Sequence, residues 1–357
     1  MTHTIQRASL TILLLALASP LFAGQWVNPK DVVGDPMKAR LQQGRKELTA
    51  QEKEEIQKYG FTGLELMTYL YANKALPPDS DVIHRCVNYN GVTGLTHSLW
   101  LFRRMYHYKS ILDKITYQSV KPGEIEYRML GYIAESPANR NMAMLQVNYA
   151  QSEKNQKNRE QWTYVPKLKR VRKDVPGDRE KEYGTMIVTV DDDEIREPWE
   201  EEHKIIGEDT IQGRATLVVE SRHRLNPQYY LSRRVIWVDK TNFIDLHEEQ
   251  FNPQGKIYKI FDTDWIQIKP GNYWVSRETN IVKLPGSERT VHQTPAWIIG
   301  QGLTDKDFSE RVISSERPWR KLDYAFPAIQ SLADLPPPPK ARTEFWSRLG
   351  VKAETAG

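Results

Sequence analysis

Three places in the sequence collect residues able to do chemistry. The densest is Asp191–Glu202, D-D-D-E-I-R-E-P-W-E-E-E, with eight carboxylates in twelve residues. Carboxylates at that density could hold calcium, but a calcium loop needs converging oxygens at fixed spacing and a glycine turn. No D-x-D-x-D-G run is present, so the stretch reads as a solvated acidic loop. The second place is Arg159–Lys173, R-E-Q-W-T-Y-V-P-K-L-K-R-V-R-K, where two aromatics precede five cations in seven positions. Cations interleaved with aromatics are the footprint of a nucleic-acid patch. The same letters fit a strand with one aromatic face and one charged face, with Pro166 at an edge or bulge. The third is His247 in D-L-H-E-E, a base among acids. A lone strand histidine beside carboxylates is more often a hydrogen-bonded surface residue than a catalyst.

The remaining enzyme signatures are absent. There is no G-x-S-x-G elbow, no H-E-x-x-H, no phosphate-cradling glycine loop and no clustered Cys/His set. The eight histidines are scattered at 3, 84, 97, 107, 203, 223, 247 and 292. The sequence therefore assigns no catalytic residue, no metal ligand and no cofactor. Cys86 is the only cysteine, which excludes an intramolecular disulfide and reads as a small buried apolar side chain.

Net charge decides the basic run. At +4 over 357 residues the chain carries no field that marks a nucleic-acid binder. Lys167, Lys169, Arg170 and Arg172 then remain candidates for docking acidic lipid headgroups or a partner protein, beside the plainer reading of a solvated strand end.

The first 23 residues look like an export signal. One cation, Arg7, precedes the apolar run A-S-L-T-I-L-L-L-A-L-A, Pro20 breaks it, and L-F-A leads to Gly24. Cleavage is expected after Ala23, with Ala18 as the competing site. The run falls short of the ~20 apolar residues of a permanent span, and no other segment is apolar enough to cross a bilayer. An oxidising, periplasmic compartment follows, where nucleic acid is rarely met.

The elements that must carry these residues divide by period. Residues 35–59 read as helix, with Asp35-Pro36 at the start and Gly60 at the end. G-L-E-L-M-T-Y-L-Y-A-N follows as a second helix with Leu64, Met67 and Tyr71 on one stripe, stopped by Pro77-Pro78. Residues 95–115 resume helical spacing through Leu95, Leu99, Phe102, Met105 and Tyr106. From about Ile115 the period becomes two, and turn signals at 239–242, 252–255, 269–272 and 284–287 separate the runs. Connections that short require antiparallel neighbours. Some nine to eleven strands in one curved sheet fit residues 115–300. The tail carries P-P-P-P at 336–339, an extended spacer, and then T-E-F-W-S-R-L, one amphipathic turn.

Several of these pieces resemble one family. W-T-Y-V-P-K-L-K-R-V-R-K is similar to the W-x-Y-x-P-x-L-x-x-V-R strand of the LolA/LolB-like outer-membrane lipoprotein-sorting proteins. R-R-V-I-W-V-D-K-T-N-F-I-D-L-H-E-E-Q-F-N-P-Q-G-K-I-Y-K resembles that family's W-V-D hairpin and D-x-x-G-K turn. N-Y-W-V-S-R-E-T-N-I-V and G-L-T-D-K-D-F-S resemble its later strand and closing segment, in order, over roughly 111–313. The resemblance implies an incomplete antiparallel barrel wrapped around helices, mainly β with an α+β character. It also implies a concave face that holds acyl chains and a soluble carrier of lipids or lipoproteins in the periplasm. The expected organisation is a signal peptide at 1–23, a helical extension at 24–110, the barrel domain at 111–313 and a Pro-rich tail at 314–357.

A sheet with that many strands must curl, and its inner face would be lined by large side chains. Trp162, Tyr164, Trp237, Phe251 and Trp274 are the candidates for an apolar groove; the alternative is that they fill a core against the helices. The expected function is a non-enzymatic carrier whose partners are lipid or lipoprotein acyl chains. The alternative is an accessory subunit docked on an envelope transporter or outer-membrane protein, with the basic strand end as its interface.

Overall fold

Thirteen extended segments pair side by side into one sheet. In the computed structural model they are β1 (Asp79–Asn90), β2 (Gly94–His107), β3 (Ile125–Glu135), β4 (Ala143–Tyr149), β5 (Arg159–Val165), β6 (Arg170–Asp174) and β7 (Glu201–Ile211). They continue as β8 (Arg214–His223), β9 (Arg233–Asp239), β10 (Asp245–Phe251), β11 (Ile257–Ile268), β12 (Tyr273–Lys283) and β13 (Glu288–Ile299). Among the described residues five α-helices accompany them: α1 (Ala50–Tyr59), α2 (Gly63–Lys74), α3 (Val190–Asp193), α4 (Glu310–Ser314) and α5 (Thr343–Arg348). The structure describes residues 47–74, 79–107, 123–135, 140–149, 159–174, 180–182, 186–193, 196–224, 226, 228–268, 273–286, 288–300, 302–315 and 329–355. The expected signal peptide, the Asp35-Pro36 helix start and Pro77-Pro78 lie outside these residues.

The strand order is β6-β5-β4-β3-β2-β1-β13-β12-β11-β10-β9-β8-β7. Every neighbouring pair is antiparallel. The chain builds outward from β1 to β6, restarts at the far end with β7, and returns until β13 lies against β1. Among the described residues the two ends are not paired with one another, so the sheet is not closed, as the family resemblance implied.

Two expectations are corrected. Helical spacing at 95–107 is not realised: those residues form β2, and 79–90 before them form β1, in the middle of the sheet. The cause lies in the ladder. Register shifts between Val82 and His84, Leu99 and Trp100, and Leu101 and Arg103 each interrupt the two-residue alternation. An inserted residue pushes the next apolar position onward and mimics a helical repeat. The second correction concerns Arg159–Lys173. It is a hairpin, with β5 and β6 joined by a 3-10 turn at Pro166–Leu168 and Lys169 in the left-handed region at φ 48°. Pro166 therefore turns the chain and does not sit in a strand.

Local signals set the two N-terminal helices. Thr49 and Glu52 form a reciprocal capping box on α1, and Gly60 closes it at φ 80°, donating to the Ile56 carbonyl. Thr62 and Glu65 bond reciprocally at the start of α2. The helices then shield the free edge of β7. Glu55 accepts from the backbone N–H groups of Ile205 (2.9 Å) and Gly63 (2.8 Å), and Gln51 donates to the His203 carbonyl (3.4 Å). Gly63 sits so close to that strand that a Cβ would stand 2.8 Å from the His203 carbonyl carbon. An edge strand left open would invite pairing with another chain.

Alternation along the strands gives each face its own cover. On the first face, Leu217 and Val219 of β8 and Ile236 and Val238 of β9 pack with Leu66, Met67, Leu70 and Tyr71 of α2. On the opposite face, Val218, Val235, Trp237 and Phe251 pack with Phe345 and Trp346 of α5. The C-terminal segment thus crosses the second face as a strap. Its earlier part, Ile329 and Leu335, covers Val87 and Val291. Asn280 then donates to the Pro337 carbonyl (2.6 Å) and Arg289 to that of Pro336.

Candidate functional site

The groove candidates separate into two clusters. Trp237, Phe251 and Trp274 share the second face; the first two are fully buried and Trp274 is partly so. At this end the strands curl toward that face, because the Arg214 guanidinium of β8 stands 5.8 Å from the Trp274 ring centroid on β12. Four strand spacings separate those strands, about 19 Å in a flat sheet. Trp162 and Tyr164 belong elsewhere. Both lie on one face of β5, as their spacing requires, and pack half-buried against Leu130, Ala143, Leu145, Leu303, Phe308 and Ile313. The five side chains thus fall in two separate hydrophobic clusters.

The first cluster is closed by α5, and sequence reasoning missed its polar anchors. Phe345 packs edge-on to Trp237 (5.3 Å between centroids, 70°), and Trp346 does so to Phe251 (5.6 Å, 81°). The Trp346 indole N–H donates to Glu249 Oε2 (2.7 Å), and the Arg342 backbone N–H to Glu249 Oε1 (2.6 Å). Asp209 accepts from Arg342 (2.9 Å), Arg348 (2.8 Å) and the Trp237 indole (3.0 Å). Burial disfavours charge on Asp209, but these donors outweigh it and hold the carboxyl below its ordinary range. A Phe-Trp pair in a polar tail was the one available signal for this docking.

His247 stands behind Glu249. It is buried, not a surface residue, and its Nδ1 lies 2.6 Å from Asp262 Oδ1 with Nε2 3.4 Å from Glu249 Oε1. Burial opposes its charge, yet the bonds to Asp262 and Glu249 outweigh burial and raise its pKa above the ordinary histidine value. It braces the carboxylate that holds the strap.

The acidic run is the largest departure from expectation. Asp191, Asp192, Glu197, Glu200 and Glu201 are buried against the first face, not solvated. Lys259 Nζ, itself fully buried, lies 2.7 Å from Asp192 Oδ2, and Gln250 donates to Asp192 Oδ1 (2.8 Å). Arg234 meets Glu201 at 2.6 Å and Arg196 meets it at 2.7 Å, while Arg196 and Tyr229 also reach Asp191. Burial raises the Glu201 carboxyl, but Arg234 and Arg196 together hold it well below the usual carboxylate range. Burial, with Asp192 nearby, pushes the Tyr230 hydroxyl up to about 12. Farther along the same segment, the Ile187 N–H donates to Thr290 of β13 (3.3 Å). Residues 186–193 and 196–201 thus form a cover clamped across the first face by paired charges.

These charges are arranged to hold, and no reacting centre is evident among them. His203 Nδ1 lies 2.8 Å from Ser221 Oγ, a pairing that activates hydroxyls in some enzymes. Its other nitrogen faces the Pro198 carbonyl (2.8 Å), both side chains are buried, and burial lowers the His203 pKa. Among the described residues no group of three or more His, Cys, Asp or Glu side chains could hold a metal ion. Cys86 is buried, as expected.

The basic candidates gather at the tip and outer strand of the β5–β6 hairpin. Lys167, Lys169, Arg170 and Arg172 are exposed, and Leu168 between them is 53% exposed. Arg172 pairs with Asp174 (2.9 Å) and Lys173 with Glu160 (2.8 Å). Among the described residues Lys167, Lys169 and Arg170 meet no carboxylate.

Comparison with known proteins follows from this geometry. A domain provisionally named an outer membrane lipoprotein-sorting protein, from Vibrio parahaemolyticus, is similar at TM-score 0.57 and 17% identity, over 71% of this chain and 98% of its own. A DUF1329 family protein from Desulfovibrio piger is similar at TM-score 0.59 and 15% identity, over 74% of this chain and 100% of its own. A LolA superfamily protein from Nitrosomonas europaea is similar at TM-score 0.47 and 14% identity, over 70% of this chain and 97% of its own. No curated protein matches the chain. At these identities the likeness to the first two is one of fold alone. No described helix is long and apolar enough to cross a membrane. The model of a family described as "Uncharacterized protein" matches residues 127–315, more than half of the chain, and the chain belongs to that family.

Proposed function

We propose that the chain is an exported, non-enzymatic carrier that binds the acyl chains of lipids or lipoproteins. One observation carries the reading. The open sheet buries apolar surface on both faces under separately connected covers, α1–α2 with 186–193 and 196–200 on one side and the strap on the other. Such covers can part from the sheet without breaking a strand pair. The surface beneath suits an elongated apolar ligand, at ~0.8 kcal/mol for each methylene buried. The likeness in fold agrees with this, and the apolar run at 8–18 fits an export signal. Titration with dansyl-undecanoic acid tests it: saturable blue-shifted emission, displaced by unlabelled lipid, is expected. Absence of any saturable uptake by folded protein would refute it. The exposed cations at the hairpin tip favour a second role for Lys167, Lys169, Arg170 and Arg172, docking on anionic headgroups or on an envelope partner.

A further inference from the structure

The strap touches the sheet in a one-sided way. All of the hydrogen bonds that tie residues 342–348 to the strands are N–H groups of the strap donating to oxygens of the sheet: Glu249, Asp209 and the Thr210 carbonyl. Between these donors, Phe345 and Trp346 supply two rings to the floor of Trp237 and Phe251. Gly207 makes room for them, since a Cβ there would stand 3.2 Å from the Phe345 ring. The strap therefore presents an apolar body with a cationic, hydrogen-bond-donating rim. Its two ends are fastened apart from this patch, at Pro336 and Pro337 on one side and by Ile257 N–H to the Glu354 carbonyl (2.9 Å) on the other. Residues 342–348 can lift while both ends stay attached.

We propose that the strap is the resident occupant of a ligand site, and that the ligand is an amphiphile with an acyl chain and an ammonium or amide head. Rings and methylenes are interchangeable fillers of an apolar trough. Glu249 and Asp209 are not so tolerant, because a carboxylate buried without donors is strongly unfavourable. Glu249 is wholly buried and, when residues 342–348 lift, loses two donors and keeps only the His247 contact at 3.4 Å. An incoming N–H-bearing cation replaces them. A fatty carboxylate would instead set a third negative charge beside the two. This rests on the carrier reading above and narrows it to a headgroup class.

Three twelve-carbon probes separate the terms in the full chain at pH 7: dodecylammonium, dodecyltrimethylammonium and dodecanoate. The expected order of affinity is the primary ammonium first, the quaternary ammonium next for want of N–H donors, and the carboxylate last. Hydrogen exchange should report loss of protection, as dodecylammonium saturates, at the Arg342 amide, which bonds to Glu249, and at the Leu349 and Val351 amides, because a helix of six residues does not hold itself once off the sheet. Phe345→Ala/Trp346→Ala removes the competitor and should tighten dodecylammonium binding about tenfold, because the open form no longer has to be bought from the closed one. If that variant does not fold, Glu249→Gln serves, and should abolish the preference for ammonium over carboxylate. Equal binding of ammonium and carboxylate, or full protection of those amides at saturation, overturns the site while leaving a carrier. Failure of every probe to bind either protein removes the carrier reading, and this inference with it.

Discussion

Replacing Lys259 by methionine tests whether the acidic segment is a clamp. Methionine keeps most of the length and apolar volume of lysine but removes the charge. The lost partner sits 2.7 Å away, Asp192, whose side chain is 1% exposed and keeps only the Gln250 amide (2.8 Å) and the Thr189 N–H (2.8 Å). Removing one member of a buried pair costs about 3–5 kcal/mol, because the other charge stays buried. Removing both charges costs much less. Lys259→Met should therefore lower unfolding free energy by about 3–5 kcal/mol, and adding Asp192→Asn should restore at least about 1.5 kcal/mol of it. Urea unfolding followed by tryptophan fluorescence at pH 7, with slopes compared, measures both. A Lys259→Met cost under about 1 kcal/mol, or single costs that add without coupling, would refute the clamp and make the segment a loosely laid loop.

Other perturbations address the remaining parts. Trp237→Ala should cost ~3–5 kcal/mol, and Trp162→Ala clearly less with a larger loss of lipid affinity per kcal/mol, since Trp162 is half-exposed; the reverse order by denaturation and lipid titration contradicts the assignment of Trp237 to the core. His247 has a folded pKa raised above 6.5, so its contribution is complete below pH 6.5 and is lost as pH rises through the folded value. The urea midpoint of the native chain minus that of His247→Gln should shrink between pH 6 and 9, and a constant difference refutes the brace. Glu to replace Lys169, Arg170 and Arg172 should leave stability within about 0.5 kcal/mol and lipid uptake intact while abolishing partner pull-down or anionic-vesicle binding. Survival of both binding properties would show that the tip is merely solvated.

What the sequence revealed depended on the range of the interaction. Strands β3, β4, β5 and β9 to β12 were legible, because short turns and two-residue alternation are local: β10 and β11 meet across residues 252–256, and β9 and β10 across 240–244. The central pair β1–β2 was not, since its bulges disguise the alternation. Trp162 and Tyr164 were correctly placed on one strand face, whereas their separation from Trp237 depends on a sheet order that restarts at β7. The acidic run was misjudged for a related reason. Arg234 and Lys259 lie 33 and 67 positions from their partners, too far for any local pattern to reveal the pairing. The α5 turn was legible, and its role was not, because Glu249 and Asp209 look like ordinary strand acids until the strap lies on them.

Native mass spectrometry of the protein purified without detergent tests the carrier claim most directly. The account predicts a population heavier than the apo chain by the mass of a lipid or acylated peptide, released on collisional activation. A single apo mass in repeated preparations, with no uptake of added lipid by the same folded sample, would contradict it.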